Sequence, residues 1–98
     1  MYKLKLKVLW VENILGFGVD QLTIKQQSPL TLYYFWPRTE AWEQLKSELD
    51  SKLWLSKEEK IKILNLVADI MNHWRKHRNT DSLEKIKNKF FEASFIDY

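Results

Sequence analysis

Apolar and polar residues alternate from Lys3 to Val11, with Leu4, Leu6, Val8 and Trp10 on one side and Lys3, Lys5 and Lys7 on the other. A period of two marks a strand buried on one face only. The segment therefore predicts a first strand with an outward basic row. Asn13 to Gly18 contains both glycines of the chain, Gly16 and Gly18, and predicts the turn of a hairpin. Phe17 to Ile24 predicts the returning strand, and Lys25 to Pro29 a polar break. Leu30 to Trp36 predicts a third strand, rich in aromatic residues and apolar on both faces, which suits a central position. Pro37 should end it, because proline has no N–H for a ladder.

Beyond Pro37 the period lengthens to about 3.6 residues. Thr39 is the expected N-cap of a first helix, with Glu40 and Glu43 in its first turn and Trp42, Leu45 and Leu49 as its apolar stripe. Ser51 to Leu55 breaks the pattern. Ser56 and Glu59 have capping-box spacing and open the longest helix, expected to run to about Arg78. Its polar stripe is Glu58, Lys62, Asn65, Asp69, Asn72 and Lys76. The rest, from Ile61 through Leu64, Leu66, Val67, Ile70 and Met71 to Trp74, is broad enough for a helix buried between other elements. Asp81 and Glu84 have the same cap spacing for a last helix, Ser82 to about Glu92, with Leu83, Ile86 and Phe90 inward. The tail carries Phe95, Ile96 and Tyr98 and should dock on something.

Ninety-eight residues make one domain. With 45% hydrophobic and 30% charged residues the chain is a globular sequence, not a disordered one. Five tryptophans in so short a chain should mostly serve as core, with Trp10, Trp36, Trp42 and Trp74 the first candidates and Trp54 a further one. No cysteine is present, which excludes disulfides and thiolate chemistry. No apolar run is long enough for a transmembrane helix, so no membrane partner is expected. Met1 to Lys7 alternates, unlike a signal peptide, and the expectation is a chain that works where it is made or whose targeting segment has been removed.

The chemistry-bearing groups do not assemble into a catalytic set. His73 and His77 have metal-ligand spacing, but no glutamate lies between them in an HExxH pattern, and surface histidines are the simpler reading. The carboxylate pairs Glu40/Glu43 and Glu58/Glu59 lie in first helical turns, where the helix dipole accounts for them. Asp20 sits on a strand with no obvious partner. Gly16-Phe17-Gly18 lacks the rest of a phosphate loop. No enzyme, cofactor, metal or small-molecule substrate is expected. The net charge of +3 leans towards an anionic partner. Basic residues gather in three places: Lys3, Lys5 and Lys7; Arg75, Lys76 and Arg78; and Lys85, Lys87 and Lys89. Each cluster alone could be a solvated face, but three together point to RNA phosphates. Tyr33-Tyr34-Phe35-Trp36 reads as core, with stacking on unpaired bases as the alternative.

Several segments resemble one family. These are Lys7-Val8-Leu9-Trp10-Val11-Glu12-Asn13, Val19-Asp20-Gln21, Ser28-Pro29-Leu30-Thr31-Leu32-Tyr33-Tyr34-Phe35-Trp36-Pro37-Arg38, and Ala41-Trp42-Glu43-Gln44-Leu45-Lys46, followed by Trp54 and Ser56. The chain is similar over roughly residues 4 to 76 to the plastid-specific ribosomal protein three group of the small ribosomal subunit. The Tyr-Tyr-Phe-Trp-Pro-Arg string is its most specific part. The segment beyond residue 78 has no match in that pattern, and 78–98 is expected to be a lineage-specific extension of the single domain 1–98. The resemblance implies a structural component of a plastid or cyanobacterial small subunit, without a cofactor. It further implies small-subunit rRNA and neighbouring ribosomal proteins as partners, in the plastid stroma or the cyanobacterial cytoplasm. Within the shared motif, Arg38 is the natural phosphate ligand, with an ion pair to Glu40 or Glu43 as the structural alternative.

The resulting expectation is an α+β fold, a short antiparallel sheet of two to three strands followed by two to three helices on one face. The expected RNA-contacting residues are Lys3, Lys5, Lys7, Arg38, Arg75, Lys76, Arg78, Lys85, Lys87 and Lys89. The alternative function is a non-catalytic protein–protein adaptor that uses exposed aromatics and the apolar C-terminal tail.

Overall fold

The alternation of the N-terminal segment becomes an antiparallel hairpin in the computed structural model, which describes residues 3–96. Strand β1, Lys3–Trp10, pairs with β2, Leu15–Leu22, from Lys3 opposite Leu22 to Trp10 opposite Leu15. Leu6, Val8 and Trp10 of β1 and Leu15, Phe17 and Val19 of β2 point to one side and are buried. The turn is Val11 to Ile14, closed by the Val11 N–H bonding to the Ile14 carbonyl at 3.3 Å. Gly16 and Gly18 therefore lie inside β2, and neither has a positive φ. What requires them is close approach. A Cβ on Gly16 would stand 2.8 Å from the Phe35 ring, and one on Gly18 would stand 3.1 Å from the Leu32 carbonyl oxygen.

The expected third strand divides in two. Strand β3, Gln27–Pro29, pairs with β2 where a polar break was expected, and β4, Tyr34–Trp36, pairs with β2 further along. Between them Leu30 and Thr31 both donate backbone N–H to the Val19 carbonyl, and the Thr31 hydroxyl accepts from Val19 N–H. Thr31 thus fills the ladder position that the bulged chain vacates. This double strand lies beyond β2, so it is not the central one. Pro37 ends β4, and the Trp36–Pro37 bond is cis.

Helix α1, Ala41–Asp50, buries Ala41, Leu45 and Leu49. Its N-cap is Glu40, without a side-chain cap bond; the Thr39 hydroxyl instead meets the Phe35 carbonyl and the Gln44 side chain. Helix α2, Lys57–His77, starts at Ser56, whose hydroxyl accepts from the Glu59 N–H at 3.1 Å. All six residues of its expected polar stripe are exposed, and so is Ile61, while Ile63, Leu64, Val67, Ile70 and Trp74 are buried. Helix α3, Leu83–Lys89, is shorter than expected and is capped by Ser82, not by Asp81. Asp81 is drawn away by His73, 2.8 Å from its carboxylate.

The apolar tail docks on the protein's own sheet. Strand β5, Ser94–Phe95, runs parallel to β1, with Lys7 opposite Ser94 and Val8 opposite Phe95. Tyr98 lies outside the described residues. The sheet is consequently mixed and five-stranded, in the order β3-β2-β1-β5 with β4 also on β2. The fold is α+β as expected, with more strands. Period-two reasoning missed β5 because two residues carry no period.

One core joins the inner sheet face to all three helices. Ile86, Phe90 and Ala93 belong to it together with Val8, Leu45 and Val67. Trp74 is 1% exposed; its ring meets Trp36 edge-on at 5.4 Å, and its N–H reaches the Val11 carbonyl at 2.7 Å. Trp10 is buried, while Trp36 and Trp42 are half-buried against the core. Trp54 departs from the expectation: it sits in the inter-helix turn and is 52% exposed.

Candidate nucleic-acid interface

Strand register sorts the aromatic block into two roles. Tyr34 stands opposite Phe17 and Trp36 opposite Leu15, so both belong to the inner face. Phe35 stands opposite Gly16 on the outer face, and Tyr33 covers Gly18. The Tyr33 and Phe35 rings are stacked within 21° of parallel, with centroids 6.4 Å apart. Alternate residues of the block thus go to the core and to the outer face.

Beside this pair runs the basic row of β1. The lysines share the outer face, as alternation requires, yet their surroundings differ. Lys3 is exposed and Lys5 half-buried. Lys7 is committed inside the fold: its ammonium lies 2.7 Å from Asp20 Oδ1 and 5.0 Å from the Tyr33 ring centroid. The Asp20 carboxylate holds the Lys7 pKa above the ordinary lysine value, against the opposing effect of burial. Asp20 is 4% exposed and also accepts from Gln27 Nε2 at 2.6 Å. The expected joint exposure of the three lysines therefore holds only for Lys3; Lys5 is half-buried, and Lys7 is drawn in because a buried carboxylate two strand positions along requires a counter-charge.

The loop that presents Tyr33 is tied to α1. Glu48 accepts from the Tyr34 hydroxyl and from the Leu32 N–H at 3.3 Å. Burial first, then Glu48, pushes the Tyr34 hydroxyl up to about 12. Arg38 is exposed and lines one shallow cleft with Tyr33, Tyr34, Phe35, Thr39 and Gln44. It thus stands beside Phe35, where β4 meets α1.

The other two basic clusters converge. Lys76 of α2 and Lys89 of α3 line one cleft with Asp69, Asn72, His73, His77 and Phe90. Some of their neighbours have local tasks. Arg78 lies 4.8 Å over the Trp74 ring, Arg75 donates to Asn72 at 3.2 Å, and Lys85 is 3.4 Å from Asp81. Arg75, Lys76 and His77 also complement the C-terminal end of the α2 dipole. Lys87 is half-buried on α3. The His73 and His77 rings lie 4.5 Å apart, and His73 also packs edge-on against Phe90 at 5.4 Å. The His73 bond holds the Asp81 carboxyl below its ordinary range, with Lys85 adding to it. Among the described residues no group of three or more His, Cys, Asp or Glu side chains is placed to hold a metal ion. No helix among them is long and apolar enough to cross a membrane.

Residues 30–77 match the model of the family described as plastid and cyanobacterial ribosomal protein (PSRP-3 / Ycf65). The small ribosomal subunit protein cS23 of Gracilaria tenuistipitata var. liui is 46% identical over 96 residues, covering 98% of this chain and 97% of that one. This chain belongs to that family. The cS23 protein of Mesostigma viride is 42% identical over 97 residues, covering 99% of this chain and 79% of that one. A probable cS23 protein of Synechococcus sp. strain JA-3-3Ab is 53% identical over 75 residues, covering 76% of each chain. The family match begins at Leu30, where the bulge that seats the aromatic block opens, and ends at His77, the last residue of α2. The elements that form the outer aromatic pair and the Glu48 tether thus lie inside it.

Proposed function

We propose that the chain is a structural, non-catalytic constituent of the small ribosomal subunit of a plastid or cyanobacterial ribosome. In that setting it binds rRNA and neighbouring ribosomal proteins, in the plastid stroma or the cyanobacterial cytoplasm. The observation that carries this reading is kinship along almost the whole length of the small-subunit protein cS23 of Gracilaria tenuistipitata var. liui. Two basic surfaces serve it. One is the outer sheet face, with exposed Lys3, half-buried Lys5, Arg38 beside Phe35, and Lys7 chiefly a structural group. The other is the α2–α3 end, where Lys76 and Lys89 share a cleft and Arg75, Arg78, Lys85 and Lys87 lie on or next to the same two helices. Residues 78–98 contribute Ile86, Phe90 and Ala93 to the common core, which supports treating 1–98 as one domain with the C-terminal segment built into it.

Fractionation of native lysate in magnesium-containing buffer tests the assignment: the chain should sediment with small subunits, and its absence from them would overturn the reading. Binding to purified small-subunit rRNA should weaken with salt, at about 0.7–0.9 log units per phosphate neutralised for each log unit of salt. Replacing Lys76 and Lys89 together should flatten that slope by up to about 2. A slope unchanged by the double replacement removes the α2–α3 end from the interface. The adaptor reading requires instead a partner whose binding barely changes with salt. The docking of Phe95 onto β1, 6.4 Å from the Trp10 ring, leaves that reading less free tail than the sequence suggested.

A further inference from the structure

We propose that the helix-free face of the sheet binds a short unpaired stretch of RNA, with a base stacked on Phe35 and flanking phosphates met by Lys5 and Arg38. This deepens the ribosomal reading and rests on it.

Three observations carry the proposal. First, the three helices share their core with the inner face, and among the described residues the outer face carries Phe35, Tyr33 and the lysines of β1. Phe35 keeps 38% of its surface exposed there, although a large aromatic ring gains from burial. Second, the ring is seated and not merely left over. Gly16 lies beneath it, where a Cβ would come within 2.8 Å, and Tyr33 stands nearly parallel beside it over Gly18. Tyr33 is in turn held by Lys7, and its loop by Glu48. A stacking platform needs such rigidity, since ordering a loose ring would cancel part of the gain. Third, cations flank the aromatic pair. Asp20, opposite Lys5 in the ladder, is buried and paired with Lys7. Lys5 stands on one side and Arg38, in the same cleft as Phe35, on the other. In register, Lys5 and the Leu9 position that flanks Gly16 are four residues apart, about 13 Å along the strand. An aromatic surface between cations suits single-stranded RNA, whose bases stack and whose backbone is anionic. A duplex hides its base faces and does not fit.

The test uses the full chain with an RNA oligonucleotide of about 10 nucleotides, single-stranded and as its duplex, within the site sizes known for such surfaces. The single strand should bind more tightly. Phe35→Leu keeps an apolar cover over Gly16 but removes the ring; it should weaken single-strand binding about fivefold or more. The loss should be the same at every salt concentration, because stacking releases no counterions. Phe35→Trp should restore binding. Lys5→Ala should flatten the salt slope by about 0.7, the value for one phosphate on a single strand. Equal binding of strand and duplex, or unchanged single-strand binding by Phe35→Leu, overturns the proposal, as does absence of binding to either probe. If Phe35→Leu loses its place on small subunits while its single-strand affinity is unchanged, the face meets a protein neighbour and the proposal fails. In each of these cases the parent chain still sediments with small subunits. Only its failure to do so overturns the ribosomal reading itself.

Discussion

Replacing Lys7 by methionine keeps the length of the side chain and removes the charge that faces a buried carboxylate. The Lys7 ammonium lies 2.7 Å from Asp20, with side-chain exposures of 21% and 6%. Removing one partner of a buried pair costs about 3–5 kcal/mol, because the other charge is left without compensation. Here Gln27 continues to donate to Oδ2 at 2.6 Å, and Lys7 is itself partly solvated. We therefore expect a loss of about 2–3 kcal/mol, below the fully buried range. Asp20→Asn should cost less, about 1 kcal/mol, since the stranded ammonium can turn towards water while the amide still accepts a hydrogen bond. The double variant should recover much of what Lys7→Met loses. Urea unfolding followed by tryptophan fluorescence measures all three. With a denaturant slope near 1.2 kcal/mol per molar, Lys7→Met should move the midpoint down by about 2 M. Alkali offers a second reading. The Lys7 pKa is raised in the fold, so the pair contributes fully below pH 10.5 and loses its contribution as pH rises through the folded value. Asp20→Asn costing as much as Lys7→Met, or strictly additive losses in the double variant, would refute the view that Lys7 is chiefly the counter-charge of Asp20.

Trp74→Ala should cost about 3–5 kcal/mol in the same unfolding assay, as for a large aromatic removed from a core it fills at 1% exposure; a loss below about 1 kcal/mol would contradict the core assignment. Tyr34 has its pKa raised to about 12, so its protonated form stabilises the fold up to about pH 10, and that contribution disappears as pH climbs through 12. Melting temperatures of the parent and Tyr34→Phe should therefore converge over that range, and a constant difference would count against the Glu48 bond as its source. Asp81 has its pKa lowered, chiefly by His73, so its contribution is present above the ordinary carboxylate value and is lost as pH falls through the folded one. Asp81→Asn should accordingly lower the melting temperature at neutral pH and match the parent in strong acid. Ser82→Ala should cost about 1 kcal/mol, the usual worth of an N-cap, whereas Thr39→Ala should cost less because Thr39 caps no helix.

Local period and cap chemistry were enough to place β1, the start and stripe of α2, the inward residues of α1 and the α+β class. Those signals depend on neighbours within about four residues, and tertiary contacts did not override them. The family resemblance was equally legible, since it rests on the order of residues such as Tyr33 to Arg38. The rest depended on partners far along the chain. Gly16 and Gly18 looked like turn residues, but they are thin places in β2 over which Phe35 and Tyr33 lie. Lys7 looked like a surface cation, but in the sheet its ammonium reaches diagonally to the buried Asp20. Asp81 had the spacing of a cap and was taken by His73, eight residues earlier. Ser94 and Phe95 show no period at all and become a strand only because the edge of β1 offers unpaired backbone groups. Alternation established that the residues of the aromatic block must part to opposite faces. Only the sheet, by packing all three helices against one side, decided which of them form the core and which face outward.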